Sequence, residues 1–410
     1  MFDVAVMWEW IEIAVRWLHV ITAIAWIGSS FYFIALDLGL HRDRNLASGA
    51  DGEEWQVHGG GFYHIQKYLV APASMPDHLV WFKWESYATW LSGAALLALV
   101  YYMGAELYLI DPTVLELTTW QAVGISVASL AFGWVIYNTL CKVFVNANQT
   151  LLMLALFAVL VGMSLFYTHV FSGRAALLHL GAFTATIMSA NVFFIIMPNQ
   201  RIVVADLKAG RKPDPKYGKI AKQRSTHNNY LTLPVVFLML SNHYPLVFAT
   251  PWNWLIASLV FLMGVTIRHW FNTHHARKGN PHWTWALTAL LFILIAWLSA
   301  APIKTVEGEA ALRGEALRLA SAEGFEDVVG IVQGRCSMCH AAEPGWDGVP
   351  WAPKGVVLET EAQIAHEARR IYLQSGVSHA MPPGNLSYME PEERAAIVRW
   401  FRGVGAEDPV

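Results

Sequence analysis

The sequence predicts an all-α protein in which a bundle of eight membrane-spanning helices is followed by a small helical domain. Of its 410 residues, 55% are apolar and only 14% are charged, whereas typical soluble domains carry roughly 25% charged residues. The apolar residues are concentrated in runs of roughly 17 to 25 residues, the length that a helix needs to cross a bilayer. The last run ends near residue 302, which predicts a membrane domain at 1–303 and a separate domain at 304–410.

The eight predicted spans follow each other with mostly short connections. They lie near residues 9–36, 82–103, 121–144, 149–168, 175–197, 230–248, 252–274 and 283–302. The first run is too long for the apolar part of a signal peptide and lacks a basic segment before it. Two connections are long. Residues 37–81, rich in glycine and aromatics, are predicted to be interfacial or re-entrant, and residues 198–229, around "GRKPDPKYGK", are predicted to be a loop.

The distribution of basic residues predicts the orientation of the bundle. Lysines and arginines are frequent after the first, third, fifth and seventh runs, whereas the connections after the second, fourth and sixth runs contain only Arg174. Because these residues stay on the cytoplasmic side, both termini are expected on the periplasmic side of a bacterial inner membrane. The basic stretch 201–224 is interpreted as a solvated loop beside anionic lipid rather than as a nucleic-acid site.

A short motif in the carboxyl-terminal part predicts a covalently bound haem. Cys336, Cys339 and His340 form C-x-x-C-H, in which two thiols reach the two vinyl groups of a haem and the histidine binds its iron. Met381, followed by two prolines, is the expected second axial ligand, and ligation by methionine and histidine raises the iron potential. The alternatives are a thioredoxin-type pair and half a zinc site. No βαβ pattern surrounds the motif, however, and no second C-x-x-C is present.

A resemblance to a known fold covers the whole carboxyl-terminal tail and not only the motif. Residues from about 308 to 407 resemble the small class I cytochrome c fold, which ends in a helix matched here by "EPEERAAIVRWFRG". Ala395, Ile397, Val398 and Phe401 are predicted to share the apolar face of that helix. Haem attachment takes place in the periplasm, the compartment that the basic residues predict for this terminus.

Ionisable residues within the apolar runs are the candidates for a second site, because they are costly in a membrane and usually face the bundle interior. Glu12, Arg16 and His19 are spaced i, i+4, i+7 and project from one helix face. His19 and His179, on two different helices, are predicted to hold an additional haem b or a metal. The alternative is that both are hydrogen-bonded packing residues. Glu85, Arg268 and His269 form the next set of candidates.

The whole chain resembles the bacterial membrane-bound urate oxidase family, in which eight helices are fused to a cytochrome c. The likeness includes "WLHVITAIAWIGSSFYFIALDLGL" at 17–40, "MPNQRIVVADLKAG" at 197–210, and the tail from "CSMCH" to "MPPGN". It implies oxidation of urate to 5-hydroxyisourate in purine degradation. Electrons would leave through the cytochrome to periplasmic or membrane acceptors, such as other cytochromes or a terminal oxidase, rather than reducing oxygen directly. The first helix also resembles that of membrane haem proteins that oxidise protoporphyrinogen, and His19 matches their haem b ligand.

The candidate residues fit this chemistry. Urate is an anion at neutral pH, and Arg16 offers a guanidinium that pairs well with planar anions. Glu12 or a histidine could accept protons, and the methionine-ligated haem accepts one electron at a time. Two other functions remain open on the residues alone: a quinol-oxidising electron carrier with a tethered cytochrome c, and a membrane haem or metal sensor.

Overall fold

A computed structural model describes residues 4–43, 45–68, 76–144, 148–300, 312–347, 349 and 351–406. The chain is mostly helical, with 70% helix and 5% strand, as the sequence predicts. The helices of the bundle are α1 (Val4–Gly39), α2 (Trp84–Leu96), α3 (Thr119–Val143), α4 (Gln149–Thr168), α5 (Gly173–Ala190), α6 (Met197–Lys208), α7 (Pro215–Ser241), α8 (Pro245–Phe248), α9 (Asn253–His275) and α10 (Trp283–Ser299).

A helix covers most of each of the eight apolar runs. In the described part of the chain, five helices are long and apolar enough to cross a membrane: Val6–Gly39, Thr119–Val143, Gln149–Thr168, Gly173–Lys208 and Asn253–His275. The eighth run forms the shorter apolar helix α10. The second run is helical but continues from α2 into π-helical turns at Leu97–Tyr102 and Ala105–Leu109. The helical nature of the runs is therefore confirmed, while the number of spans stays a prediction.

The connection at 37–81 departs from the predicted all-α fold. It contains two antiparallel strands, β1 (Ala50–His58) and β2 (Gly61–Tyr68). The turn between them is Gly59-Gly60, with φ of 58° and 79°, the left-handed conformation that a tight hairpin turn requires. Asp37 at the end of α1 forms ion pairs with Lys67 of β2 and Lys222 of α7. The hairpin is thus attached to α1, which the same aspartate also joins to α7, and its placement at the membrane interface stays a prediction.

The prediction that residues 198–229 form a loop is wrong. α6 and the first half of α7 occupy this segment, and only residues 209–214 separate the two helices. Pro215 is the first residue of α7, where its missing N–H costs no hydrogen bond, and Pro213 lies just before the cap residue. Asp214 caps α7, since its Oδ1 accepts a hydrogen bond from the Lys216 backbone N–H at 2.9 Å.

Helix α5 lies at the centre of the bundle. Most of its side chains are buried, and it packs against α3, α4 and α7. Close helix approach depends on small residues: an added Cβ at Gly264 of α9 would lie 2.5 Å from the Pro234 ring of α7. The bundle therefore has a continuous core, as expected where small residues allow helix backbones to approach.

The carboxyl-terminal part has a core of its own. It contains α11 (Gly314–Ala320), α12 (Phe325–Arg335), α13 (Glu361–His366), α14 (Ala368–Ile371) and α15 (Pro391–Ala406). Trp400 of α15 stacks on Phe325 of α12, with ring centroids 5.5 Å apart. Its indole N–H donates to the Leu319 carbonyl at 3.0 Å. The predicted boundary at 303/304 lies outside the described residues.

Candidate functional site

A cavity of about 1300 Å³ lies between the bundle and the carboxyl-terminal part. It exceeds the roughly 300–1,000 Å³ of ordinary ligand pockets. One wall carries Cys336, Cys339, His340 and Met381. The opposite wall comes from α1, the turns after α2, the start of α5 and the segment after α7. Residues from both halves of the sequence therefore meet in one space.

The C-x-x-C-H motif forms a tight turn directly after α12. The backbone N–H groups of Cys339 and His340 both donate to the Cys336 carbonyl, at 3.1 and 2.9 Å. The His340 Nδ1–H donates to the Val356 carbonyl at 2.8 Å, which leaves Nε2 available as an iron ligand. Burial, followed by the neighbouring Cys339, raises the pKa of the Cys336 thiol to about 11. Neither thiol forms a disulfide.

Arg394 holds the Met381 loop in place. Its guanidinium, on α15, donates to the carbonyls of Met381 at 2.8 Å and Ser375 at 2.6 Å. It also donates to Asn385 Oδ1 at 3.0 Å. The sequence placed Ala395 on the buried face of α15, but Ala395 is exposed and Arg394 is 7% exposed. Arg394 lies one helical turn from Ile397, and this spacing was the signal in the sequence for the burial of Arg394.

A second arginine links this loop to the cysteines. Arg335, next to Cys336, donates to the Ser387 carbonyl at 3.0 Å and to Glu393 at 3.0 Å. The motif, the Met381 loop and α15 are therefore joined by charged hydrogen bonds, which are stronger than neutral ones.

The residues of this wall fit a covalently held haem. Apolar side chains surround the motif, including Val356, Leu358, Leu373 and Phe401. Arg369 also lines the cavity, and its Nη2 is buried without a hydrogen-bond partner. An anionic group such as a haem propionate would satisfy that donor. Cys336 and Cys339 could attach the haem, and His340 and Met381 could bind its iron.

The bundle wall contains two of the residues predicted for the membrane site. Glu12 and Arg16 line the cavity and form an ion pair one helical turn apart. Tyr101, Arg174, Asn242 and His243 lie on the same wall. Arg16 is therefore already paired with a carboxylate, which the sequence spacing made possible but did not require.

His19 and His179 do not line the cavity, and they contact different helices. His19 Nδ1 donates to the Thr89 carbonyl of α2 at 3.0 Å. His179 is fully buried. Its Nδ1–H donates to the Ala175 carbonyl at 2.8 Å, and its Nε2 accepts from the Ser126 hydroxyl of α3 at 2.8 Å. Since both nitrogens of His179 have protein partners, the geometry favours the packing interpretation for this residue, and its role as a haem or metal ligand stays a prediction.

Of the alternative candidates, Arg268 belongs to a polar interior elsewhere in the bundle, whereas Glu85 is partly buried and His269 is exposed. Arg268 is 4% exposed, bonds to the side-chain oxygens of Asn229 and Asn272, and lies 3.9 Å from the Phe31 ring. Sequence reasoning missed a similar arginine, Arg224, whose Nη2 donates to Asn138 at 2.9 Å. Neither arginine lines the large cavity. In the described ranges, no group of three or more His, Cys, Asp or Glu residues is arranged to hold a metal.

Comparison with known protein families identifies the bundle. The family model Urate oxidase N-terminal matches residues 5–299. The chain belongs to this family. No curated protein and no solved structure matches significantly. The matched region includes the bundle wall of the cavity and ends before Cys336.

Family membership indicates an oxidoreductase that acts on urate. Because the matched region ends before the C-x-x-C-H motif, membership says nothing about the electron acceptor. The acceptor must be inferred from the other wall of the cavity.

Proposed function

We propose that this protein oxidises urate to 5-hydroxyisourate and passes the electrons to a haem bound covalently to Cys336 and Cys339. The observation that carries the proposal is the shared cavity. The urate oxidase region forms one wall, and the haem-attachment motif with Met381 forms the other. A substrate in this space would lie beside a one-electron acceptor, so direct reduction of oxygen is not needed.

The reaction balances with water as the source of oxygen. Urate and one water give 5-hydroxyisourate, two protons and two electrons, because a C–O bond forms at C5. A bound haem supplies one-electron transfer, so the two electrons leave in separate steps. Glu12 lines the cavity beside Arg16 and is a candidate proton acceptor.

The protein residues on the carboxyl-terminal wall have distinct roles in this proposal. Cys336 and Cys339 would hold the haem, and His340 and Met381 would bind its iron. Arg394 and Arg335 position the Met381 loop through the hydrogen bonds described above. Methionine ligation would raise the haem potential, which favours removal of electrons from urate. Onward transfer then needs a respiratory acceptor of higher potential, such as another cytochrome or a terminal oxidase.

We further propose that the bundle crosses a bacterial inner membrane eight times with both termini in the periplasm. The carboxyl-terminal part contacts the end of the bundle that the basic residues predict to be periplasmic. Arg313 pairs with Glu116 at 2.8 Å, and the Arg370 guanidinium lies 5.3 Å from the Tyr108 ring. This agreement between the charge pattern and the contacts supports the orientation.

Anaerobic titration of the purified, oxidised protein tests the function. Adding urate without quinone should reduce the haem, with two haems reduced per urate when protein is in excess, as followed by haem absorbance. Peroxide formed one-for-one with urate in air would mean that oxygen is the direct acceptor. Reduction by quinol but not by urate would instead identify the quinol-oxidising alternative.

A further inference from the structure

Arg174 is one of the arginines of the cavity for which no anionic partner is found among the described residues. It lies at the start of α5 and lines the cavity. Arg16 is paired with Glu12, and Arg370 is paired with Glu367 at 2.8 Å. The Arg174 guanidinium lies 5.7 Å from the Phe248 ring. Among the described residues, no carboxylate forms an ion pair with it, so its N–H donors are available to a ligand in the cavity.

Nearby positive charges make the binding of an anion beside Arg174 more favourable. The charged residues that act on Arg174 are Arg370, which repels it, and Glu367, which is already engaged by Arg370. Seven arginine or lysine side chains but only four glutamates line the cavity. One of the seven, Arg335, is neutralised by Glu393, and the remaining positive excess attracts anions such as the propionates of a haem and urate. Burying unpaired positive charge is costly, so the cavity is suited to anions.

Asn242 adds a hydrogen-bond acceptor to the wall that carries Arg174. It follows α7 and lines the cavity, and its Oδ1 is buried without a hydrogen-bond partner. Tyr101, which is 5% exposed, lies near both residues, and its hydroxyl is hydrogen-bonded to the Asn242 side chain. A buried acceptor without a partner is destabilising, and a ligand N–H would satisfy it. The wall thus offers a cation and an acceptor that both lie near Tyr101.

We propose that Arg174 and Asn242 bind the urate anion on the bundle wall. This inference rests on the proposed urate oxidation. It assigns Arg174, instead of Arg16, as the cationic residue that binds the substrate. The guanidinium pairs with the planar anion through parallel N–H groups, and Asn242 Oδ1 accepts a purine N–H. Tyr101 lines the cavity on the same wall. A simple inorganic anion lacks the ring N–H and would satisfy only the arginine.

Steady-state kinetics of urate-dependent haem reduction test the assignment. Arg174→Ala should raise KM for urate by about tenfold or more with kcat largely kept, since an interaction present in both ground and transition states is lost. Arg174→Lys should recover part of the affinity. Asn242→Asp, which keeps the shape and adds a negative charge, should weaken urate binding as well. Arg211→Ala, an exposed arginine outside the cavity, is the matched control.

Haem content and reduction by dithionite are measured in every variant. Wild-type KM for urate in both Arg174→Ala and Asn242→Asp would overturn the assignment and leave urate oxidation standing. Altered haem content or potential with unchanged KM would also overturn it, because Arg174 would then hold a propionate. If the wild-type protein itself fails to reduce its haem with urate, the proposed function fails together with this site.

Discussion

The carboxyl-terminal wall of the cavity takes its reactive residues from two short stretches, whereas the bundle wall takes them from four separate elements. Cys336, Cys339 and His340 lie within one turn after α12, and Met381 lies in one loop. On the bundle wall, Glu12, Tyr101, Arg174 and Asn242 come from α1, a π-helical turn, α5 and the segment after α7. Local spacing therefore predicts the first wall, and only helix packing assembles the second.

Around the cavity, some arginines are neutralised by the protein and others are not. Hydrogen bonds and ion pairs fix Arg335 and Arg394 to the protein itself. Arg174 on the bundle wall has no such partner, and Asn242 Oδ1 is also unpartnered. Residues that only support a site are satisfied by the fold, whereas residues that bind a ligand are left incomplete until it arrives. On each side of the cavity, the residues that support the site can therefore be distinguished from those that bind a ligand.

The largest expected effect is the loss of the haem from the carboxyl-terminal wall. Cys336→Ser or Cys339→Ser should abolish covalent attachment and urate-dependent electron transfer, because each thiol supplies one of the two haem bonds. Haem staining of the denatured protein on a gel measures the attachment. Extraction of all haem from the wild-type protein by acidified acetone would show that the motif does not bind haem covalently.

A smaller effect is expected for His179 in the bundle. His179→Ala should lower the free energy of unfolding by about 2–5 kcal/mol, because it leaves a cavity and removes one of the two hydrogen bonds of the Ser126 hydroxyl. Thermal unfolding followed by circular dichroism measures this loss. Iron per chain should equal that of the wild type. A fall in iron content with covalent haem retained would instead make His179 a ligand of a second haem or metal.

The smallest expected effect concerns the loop that carries Met381. Arg394→Ala should leave the haem attached but loosen the loop, since charged hydrogen bonds worth about 1.5–3 kcal/mol are removed. A lower haem potential in redox titration and a weaker sulfur-to-iron absorption band should follow. Arg399→Ala, an exposed arginine on the same helix, is the control. An unchanged potential in Arg394→Ala would mean that the loop is held without it.

The helices of the bundle could be predicted well from the sequence, but their boundaries and connections could not. The prolines at 213–215 and the lysines around them suggested a loop, yet Asp214 and Pro215 begin α7. Both prolines and cap residues occur in loops and at helix starts, so the local pattern does not decide between them. The hairpin at 50–68 escaped prediction because its glycine turn and aromatic residues also suit an interfacial segment.

The candidate site was predictable only in part. Glu12 and Arg16 do line the cavity, as a shared helix face allowed, but His19 turns to α2 and His179 packs within the bundle. Arg174 attracted notice only as a lone basic residue in the connections between the predicted outer helix ends. Its missing partner is a property of the folded protein, because ion pairing depends on which distant carboxylates come close.

By itself, the sequence determined the helical character of the chain, its two-part composition and the C-x-x-C-H motif. Each is set by contiguous residues, through helix periodicity, apolar run length or covalent reach. The tertiary structure alone decided that Arg394 supports Met381, that His179 is satisfied by Ser126, and that Arg174 and Asn242 share an open wall. These relations join residues far apart in the chain, so they follow from the packing of helices rather than from any local pattern.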